Sequence, residues 1–382
     1  MRTMRSDKAR AYRLQRRSGI LAPNPSPGKR WTKKLLGDIA SDMQLPLTGK
    51  ALEVAVPNED ARLRSSSASN TIYANGIPGG SFIGLGNGIA ISSPELLFAE
   101  LAESMHPVEH LMLGHELCGS FCRDAGDPYN GPVTYFIQPV TSADRIRCFL
   151  EKAKGVRGIE AARISASFLN DNAWSPTESL TAALMRLPID SLGYDLGELV
   201  LNPRIPAKQM LPGAKESRVP DIMIAGTAVG INYDGLVHLD LKSIVAAAIN
   251  VGVNPGVAQT QQALTEALNK VRSKMLDDIR RNRELSAHGL SVFPLLKEDL
   301  YVSNGLDQVV AQLIESLERT TKRNMKRQRK ALRQKALSRD RHRIMLSLLP
   351  GHHERDVKVH RFIEGHMLYD GPSTVEECWM EL

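Results

Sequence analysis

The apolar residues Leu264, Leu268, Val271, Met275 and Ile279 are spaced by four, three, four and four, which draws one stripe along a long helix. Gly289 offers a C-cap beyond its end. Three strand-like runs precede that helix: "GELVLNP", "SRVPDIMIA" and "AVGINYDG". "GVNPG" breaks the pattern between the last of them and the helix, and "LSVFPLL" follows the helix as a further strand. Ahead of all these, "SPTESLTAALMRL" opens a helix. From Ser175 onward the predicted order is thus helix, three strands, helix, strand. That order belongs to α/β domains built on a mixed sheet.

Nearer the N-terminus, "KALEVAVP" and "GIAISS" read as strands of a small α/β unit, with the turn-rich "GIPGGSFIGLGNG" between them. Gly84, Gly86 and Gly88 read as hairpin turns rather than a phosphate loop, because no Gly-Lys-Ser/Thr follows. A helix is expected over "SPELLFAELAESM", where Ser93 caps, Pro94 fits the first turn and Glu95 suits the positive helix end. Residues 141–171 read as two helices broken near Gly155 and Gly158. Residues 1–18 read as a short basic helix, followed by the linker "GILAPNPSPGKR". A last helical stretch from about residue 298 runs into a basic segment. The pattern divides the chain into a basic arm and linker (1–45), a small α/β domain (46–140), a helical connector (141–171), a mixed-sheet domain (172–310) and a basic helix with its tail (311–382). No internal repeat is visible.

Composition narrows the class. The 382 residues suffice for two or more domains. The longest apolar run, "IVAAAINVGV", is too short to span a bilayer, and the basic N-terminus lacks the apolar core of a signal peptide, so no membrane partner and a cytoplasmic location are expected. Four cysteines are too few for a disulfide scaffold; Cys118 and Cys122 would sit one turn apart on a helix as small buried side chains. The net charge of +7 hides an asymmetry. Residues 1–34 hold eleven Lys/Arg against Asp7 alone, and residues 319–343 hold twelve against Asp340 alone. Those two segments carry +21 between them, which leaves −14 for the rest. Concentrated basic charge suits a phosphate-bearing partner such as DNA; a solvated helix face with a disordered arm is the plainer alternative. The cations that would meet a DNA backbone are Lys322, Arg323, Lys326, Arg327, Arg329, Lys330 and Arg333.

The chemistry candidates lie on the strands. A short turn at Gly226-Thr227 makes two strands antiparallel neighbours, so Asp221 near the start of one and Asp234 near the end of the next meet at one sheet end. Two carboxylates there suit Mg²⁺ or Mn²⁺ and phosphodiester hydrolysis. Asp234-Gly235 also has the composition of a plain hairpin turn. Glu178 adds a third carboxylate, yet Ser175-Pro176-Thr177-Glu178 is equally a capping box that points it at Ser175. His238 either positions a phosphate or water, or is an ordinary buried histidine. Asp277, Arg280 and Arg281 either hold phosphate at the sheet end or pair along their own helix. His106, His110, His115, Cys118 and Cys122 match no common zinc spacing and read as helix-loop-helix, with Leu111, Met112, Leu113 and Leu117 in a core.

The order Glu178, Pro220-Asp221, "INYDGLVH", then "DDIRRNREL…GLSVFPLLKEDL" resembles the DUF559 and very-short-patch-repair-like branch of the PD-(D/E)XK nuclease superfamily, over roughly residues 172–300. The upstream segments "ISSPELLFAELA", "LMLGHELCGSF", "TSADRIRCFLEKAKGVRG" and "SPTESL" look like a group of actinobacterial proteins of unknown function, and some of that N-terminal region is similar to the regulator domain of AbiEi-type antitoxins. The resemblance implies a restriction-endonuclease-like domain at 172–310 behind a regulator-like domain at 46–140. It implies Glu178, Asp221 and Asp234 as holders of Mg²⁺ or Mn²⁺, with His238 and Arg280 in support. It departs at one place: the family's glutamate on the second strand is Asn232 here, which offers an amide oxygen but no charge and no base. Pro220-Asp221 with Asp240-Leu241-Lys242 is a literal alternative signature, if the strand runs on past Gly235. Two functions follow as expectations. One is a Mg²⁺-dependent DNA endonuclease with catalytic residues Glu178, Asp221, Asn232, Asp234 and His238. The other is a non-catalytic DNA-binding regulator of antitoxin type with a cognate toxin as partner. A third class, a protein-interaction module pairing its basic helix with an acidic partner, predicts salt-insensitive DNA binding.

Overall fold

In the computed structural model the described residues are 52–349, without 57, 65, 67, 74–76, 87–88, 207–215, 235–240 and 254–256. The basic arm at 1–45, the tail beyond 349 and His238 fall outside them.

The N-terminal part is mixed α/β. Strands β1 (Leu52–Val56) and β2 (Ala68–Ile72) pair in parallel, and β3 (Phe82–Gly86) pairs antiparallel with β4 (Ile89–Ser92). Gly84 and Gly86 therefore lie in a strand, with an irregularity in register between them, and not in turns as expected. Helix α1 (Pro94–Leu101) starts as the sequence predicts: the Ser93 hydroxyl accepts from the Leu96 amide at 3.2 Å. The next stretch is one helix, α2 (Pro107–Cys118), which buries Leu111, Met112, Leu113 and Leu117. Cys118 closes that helix, whereas Cys122 belongs to β5 (Phe121–Cys122), so the two are not helical neighbours; both are buried free thiols. Strand β6 (Thr134–Tyr135) pairs with β5. Helices α3 (Ala143–Lys152) and α4 (Ile159–Ala166) are separated where Gly155 and Gly158 adopt φ of 69° and 82°, a region open to glycine.

Helix α5 (Pro176–Arg186) leads into the main sheet. The sheet holds β7 (Leu199–Leu201), β10 (Ile222–Ile224), β11 (Val229–Asp234) and β12 (Ser291–Leu296), in the order β12-β11-β10-β7. A two-stranded pair, β8 (Ile205–Pro206) with β9 (Ser217–Arg218), lies between β7 and β10 in sequence. β7, β10 and β11 are antiparallel neighbours, and β11 and β12 are parallel. Parallel neighbours require a crossover; here it is the helical hairpin α6 (Leu241–Val253) and α7 (Ala258–Ala287). The order predicted from Ser175 onward is thus present, with α6 added. Because β11 ends at Asp234 and Leu241 already lies in α6, the described backbone gives no strand through Leu241-Lys242. The β10–β11 turn has Gly226 at φ 69° and Thr227 bonded to the Ile224 carbonyl at 2.8 Å.

The C-terminal stretch is four helices rather than one: α8 (Lys297–Tyr301), α9 (Gly305–Thr321), α10 (Lys326–Leu332) and α11 (Lys335–Leu348). Asn304 and Lys322, with φ of 64° and 56°, mark the breaks on either side of α9. Helix α9, which buries Val310, Leu313, Ile314 and Leu317, packs against β11 and β12, while α5 packs on β7 and along α2. One contiguous apolar core consequently runs from α1 through the sheet to α11. The striped face of α7 is not part of it: Leu268, Met275 and Ile279 are exposed, and among the described side chains of the helix only Leu285 near its end is fully covered. No helix among the described residues is long and apolar enough to cross a membrane.

Candidate functional site

Glu178 sits at the third position of α5. The Ser175 hydroxyl caps the helix by accepting from the Glu178 amide at 3.1 Å. The carboxylate itself does not turn back to the Ser175 amide as a capping box would. Its Oε2 accepts from the Trp174 amide at 3.2 Å, and its Oε1 accepts from the Asn202 side chain at 2.7 Å. Glu178 therefore serves the helix start and also reaches the sheet. It is 4% exposed. Burial raises its pKa well above the ordinary carboxylate value, and the charge of Asp221 raises it further; the hydrogen bonds from Trp174 and Asn202 oppose both.

The other partners come from strand register. Ile222 pairs with Leu201 on one side and Ile231 on the other. One step toward the sheet end, Asn202, Asp221 and Asn232 form the next row across three strands. The Asn202 amide donates to the Asp221 carbonyl at 2.9 Å. The Asp221 amide donates to Asn232 Oδ1 at 3.1 Å, and the Tyr233 amide donates to Asp221 Oδ2 at 2.6 Å. Asn232 is 1% exposed. With its Oδ1 engaged by a main-chain donor, its Nδ2 has no hydrogen-bond partner. Asn202 is 3% exposed and mirrors it: Nδ2 donates to Glu178 and to the Asn172 carbonyl at 2.8 Å, while Oδ1 has no partner. A third asparagine, Asn172, donates back to the Leu201 carbonyl at 3.1 Å and accepts from the Trp174 indole at 2.8 Å.

The structure thus brings Glu178 near Asp221 and Asn232 onto the Asp221 amide, and adds Asn202 and Asn172, which sequence reasoning missed. The only trace of these two is an asparagine just past a strand or loop where the backbone turns left-handed. Asn172 has φ 71° and Asn202 φ 49°, a conformation asparagine tolerates well. Asp234 closes β11 opposite Leu296. Among the described residues no three His, Cys, Asp or Glu side chains gather as a metal cluster. His110 instead bonds Ser165 at 2.8 Å and the Phe98 carbonyl at 2.8 Å, and His115 bonds the Ser179 carbonyl at 3.3 Å. Burial holds both imidazoles near a pKa of about 4 and pushes the Cys118 thiol up.

The helix α7 trio separates. Asp277 pairs with Arg218 of β9 at 2.9 Å, and Glu284 holds the same guanidinium through two further contacts at 2.5 and 3.1 Å. Arg281 pairs along its own helix with Asp278 at 3.3 Å, while Arg280 is exposed. The basic segment is partly built into the fold. Arg341 is buried on Asp307, Arg329 pairs with Glu318 at 2.5 Å, and Arg327 approaches Asp190 at 3.5 Å. Lys322, Arg323, Lys326, Arg327, Lys330 and Arg333 face solvent around α10.

No protein-family profile matches the chain, nor does any curated protein or solved structure. The molecule is a mixed α/β protein.

Proposed function

We propose that this chain is a DNA-binding protein whose 172–310 region is a restriction-endonuclease-like domain of the PD-(D/E)XK type, with a phosphodiester-hydrolysing site at the β7-β10-β11 sheet end. The observation that carries the reading is the meeting of Glu178 and Asp221 at that end, within a helix, three antiparallel strands, a helical crossover and a parallel strand. A divalent ion fits the residues there. Glu178 and Asp221 are hard oxygen donors close enough for one charge to disfavour the other, and a cation relieves that repulsion. Glu178, Asp221 and Asp234 would hold Mg²⁺ or Mn²⁺. Such an ion, when bound, supplies charge stabilisation at the scissile phosphate and lowers the pKa of water.

The chain's own groups do the rest. The Tyr233 amide fixes one Asp221 oxygen, and Asn202 and the Trp174 amide fix Glu178, so both carboxylates are oriented before substrate arrives. Asn232 Nδ2 is a buried donor free to take a phosphate or water oxygen. The solvent-facing cations around α10 supply sequence-independent backbone contacts.

A second reading has its own observation. Asn232 replaces a carboxylate by a neutral amide whose oxygen is already used by the Asp221 amide. That favours a DNA-binding regulator of antitoxin type, with a cognate toxin as partner, on a retained nuclease fold. Plasmid nicking in Mg²⁺ or Mn²⁺ separates the two. Cleavage by the wild type, lost in Asp221→Ala, establishes the nuclease. Cleavage only after Asn232→Glu establishes a silenced site. DNA binding without cleavage by any variant transfers the reading to the regulator.

A further inference from the structure

Asn202 belongs to none of the sequence motifs, yet it touches both carboxylate-bearing elements. Its backbone amide donates to the Asp221 carbonyl, and its side chain donates to Glu178 Oε1. The two donor contacts of Nδ2 settle which end of the amide is which. Turning the group over would aim its carbonyl at the Glu178 carboxylate and the Asn172 carbonyl, two acceptors. The oxygen without a partner is therefore Oδ1, on a residue only 3% exposed. Buried carbonyl oxygens are ordinarily satisfied.

Position matters as much as vacancy. Oδ1 and Nδ2 of one amide are about 2.2 Å apart from standard bond lengths. With Nδ2 at 2.7 Å from Glu178 Oε1, Oδ1 lies within about 4.9 Å of that oxygen. Oxygens that share one Mg²⁺ are separated by about 3 Å at right angles and about 4.2 Å when opposite. Asn232 is the weaker candidate for that role, since its Oδ1 already gives one lone pair to the Asp221 amide.

We infer that Asn202 is a cation ligand: its Oδ1 supplies to a divalent ion the protein oxygen that the neutral, engaged Asn232 does not, beside Glu178 and Asp221. The inference rests on the reading of this sheet end as a metal-dependent phosphodiesterase site. It adds one amide oxygen to the carboxylates of that reading, where Asn232 brings no charge. It also gives the two asparagines complementary parts: Asn202 presents an acceptor to the cation, and Asn232 presents a donor to an oxygen of phosphate or water.

Mn²⁺ binding to the full chain tests this without substrate. Titration followed by electron paramagnetic resonance gives Kd, and water-proton relaxivity counts the waters left on the ion. Asn202→Ala should weaken Mn²⁺ about tenfold and add one water to the ion, the vacated position being filled by solvent. Asn202→Asp keeps an oxygen at the Oδ1 position but loses the donor to Glu178 and to the Asn172 carbonyl, so it should keep the original water count whatever happens to Kd. Should Asn202→Ala fail to fold by circular dichroism, Asn202→Asp decides alone: the wild-type water count supports the ligand role, and one added water overturns it. If Asp221→Ala abolishes binding while Asn202→Ala leaves Kd and water count unchanged, Asn202 is only a brace for Glu178 and the metal-site reading survives. If the wild type takes up no Mn²⁺ at millimolar concentration, both the ligand role and the metal-site reading fall.

Discussion

Arg341 decides whether the basic C-terminal stretch is a part of the fold or an appendage to it. Its side chain is 3% exposed and lies 3.3 Å from Asp307, itself 11% exposed. It also donates to the carbonyls of Leu192 and Gly193 at 2.9 Å each and stacks over the Tyr194 ring at 4.1 Å. Asp307 in turn accepts from the Tyr194 hydroxyl at 2.8 Å and from Ser338. In Arg341→Met the apolar packing on Tyr194 is largely kept while the charge disappears. Removing one partner of a buried pair costs about 3–5 kcal/mol, because the other charge is left uncompensated. Two carbonyls deprived of their donor add roughly 1 kcal/mol each. A destabilisation of about 4 kcal/mol or more is expected. With a urea slope near 3 kcal/mol/M, the unfolding midpoint falls by roughly 1.3 M. Combining Arg341→Met with Asp307→Asn should cost less than the two separate effects together, by more than about 1 kcal/mol, since the pair shares one penalty. A fall below about 0.3 M, or strict additivity, would refute the reasoning and return residues 319–343 to the status of a separable arm.

Two further outcomes follow from the same placement of charges. Replacing Lys326, Lys330 and Arg333 by alanine should weaken binding to unrelated duplexes alike. It should also reduce the slope of log K against log salt by about 0.9 for each phosphate no longer neutralised; a slope unchanged in the triple variant would put DNA on another face. Burial depresses His110 and His115 to about 4, whereas an unfolded histidine takes up its proton near 6.5. The unfolded state then binds more protons between those values, so stability is lost as pH falls through that window, by up to about 1.4 kcal/mol per unit for each histidine. Urea midpoints from pH 7.5 down to 4.5 should show it, with a shallower fall in His110→Gln, and an equal fall in wild type and variant would contradict the assignment.

The order of elements from Ser175 was legible because each carries its own local signal. Ser175-Pro176 marks a helix start, Gly226-Thr227 marks a turn, and the strands between are short and apolar. Helix α6 was not legible, since "IVAAAINVGV" is apolar all round and shows no period to read. Strand β3 was hidden because Gly84 and Gly86 look like turn residues until β4 pairs with them. The break before α9 is marked by Asn304-Gly305, a turn dipeptide, whereas the break after it left no mark: Lys322 takes left-handed backbone without a glycine to announce it. The stripe on α7 shows a different limit. Its period correctly gives a helix, but a period says which residues share a face and not whether anything covers that face.

The site divides along the same line. Carboxylates announce themselves by type, and Glu178 and Asp221 could be named from sequence. Asn202 could not, because its meaning depends on cross-strand register, which places it in one row with Asp221 and Asn232. Register also changes what Asn232 means. Sequence presents it as a ligand that has lost its charge; the structure presents it as a brace whose Oδ1 holds the Asp221 amide. The two meanings call for different substitutions. Glutamate at 232 adds charge on a longer side chain, which must reach past the Asp221 amide or abandon it. Aspartate keeps the length, leaves one oxygen on that amide and converts the partnerless donor Nδ2 into a second carboxylate oxygen. A gain of metal affinity in Asn232→Asp therefore reports the missing charge alone, whereas a gain confined to Asn232→Glu reports reach.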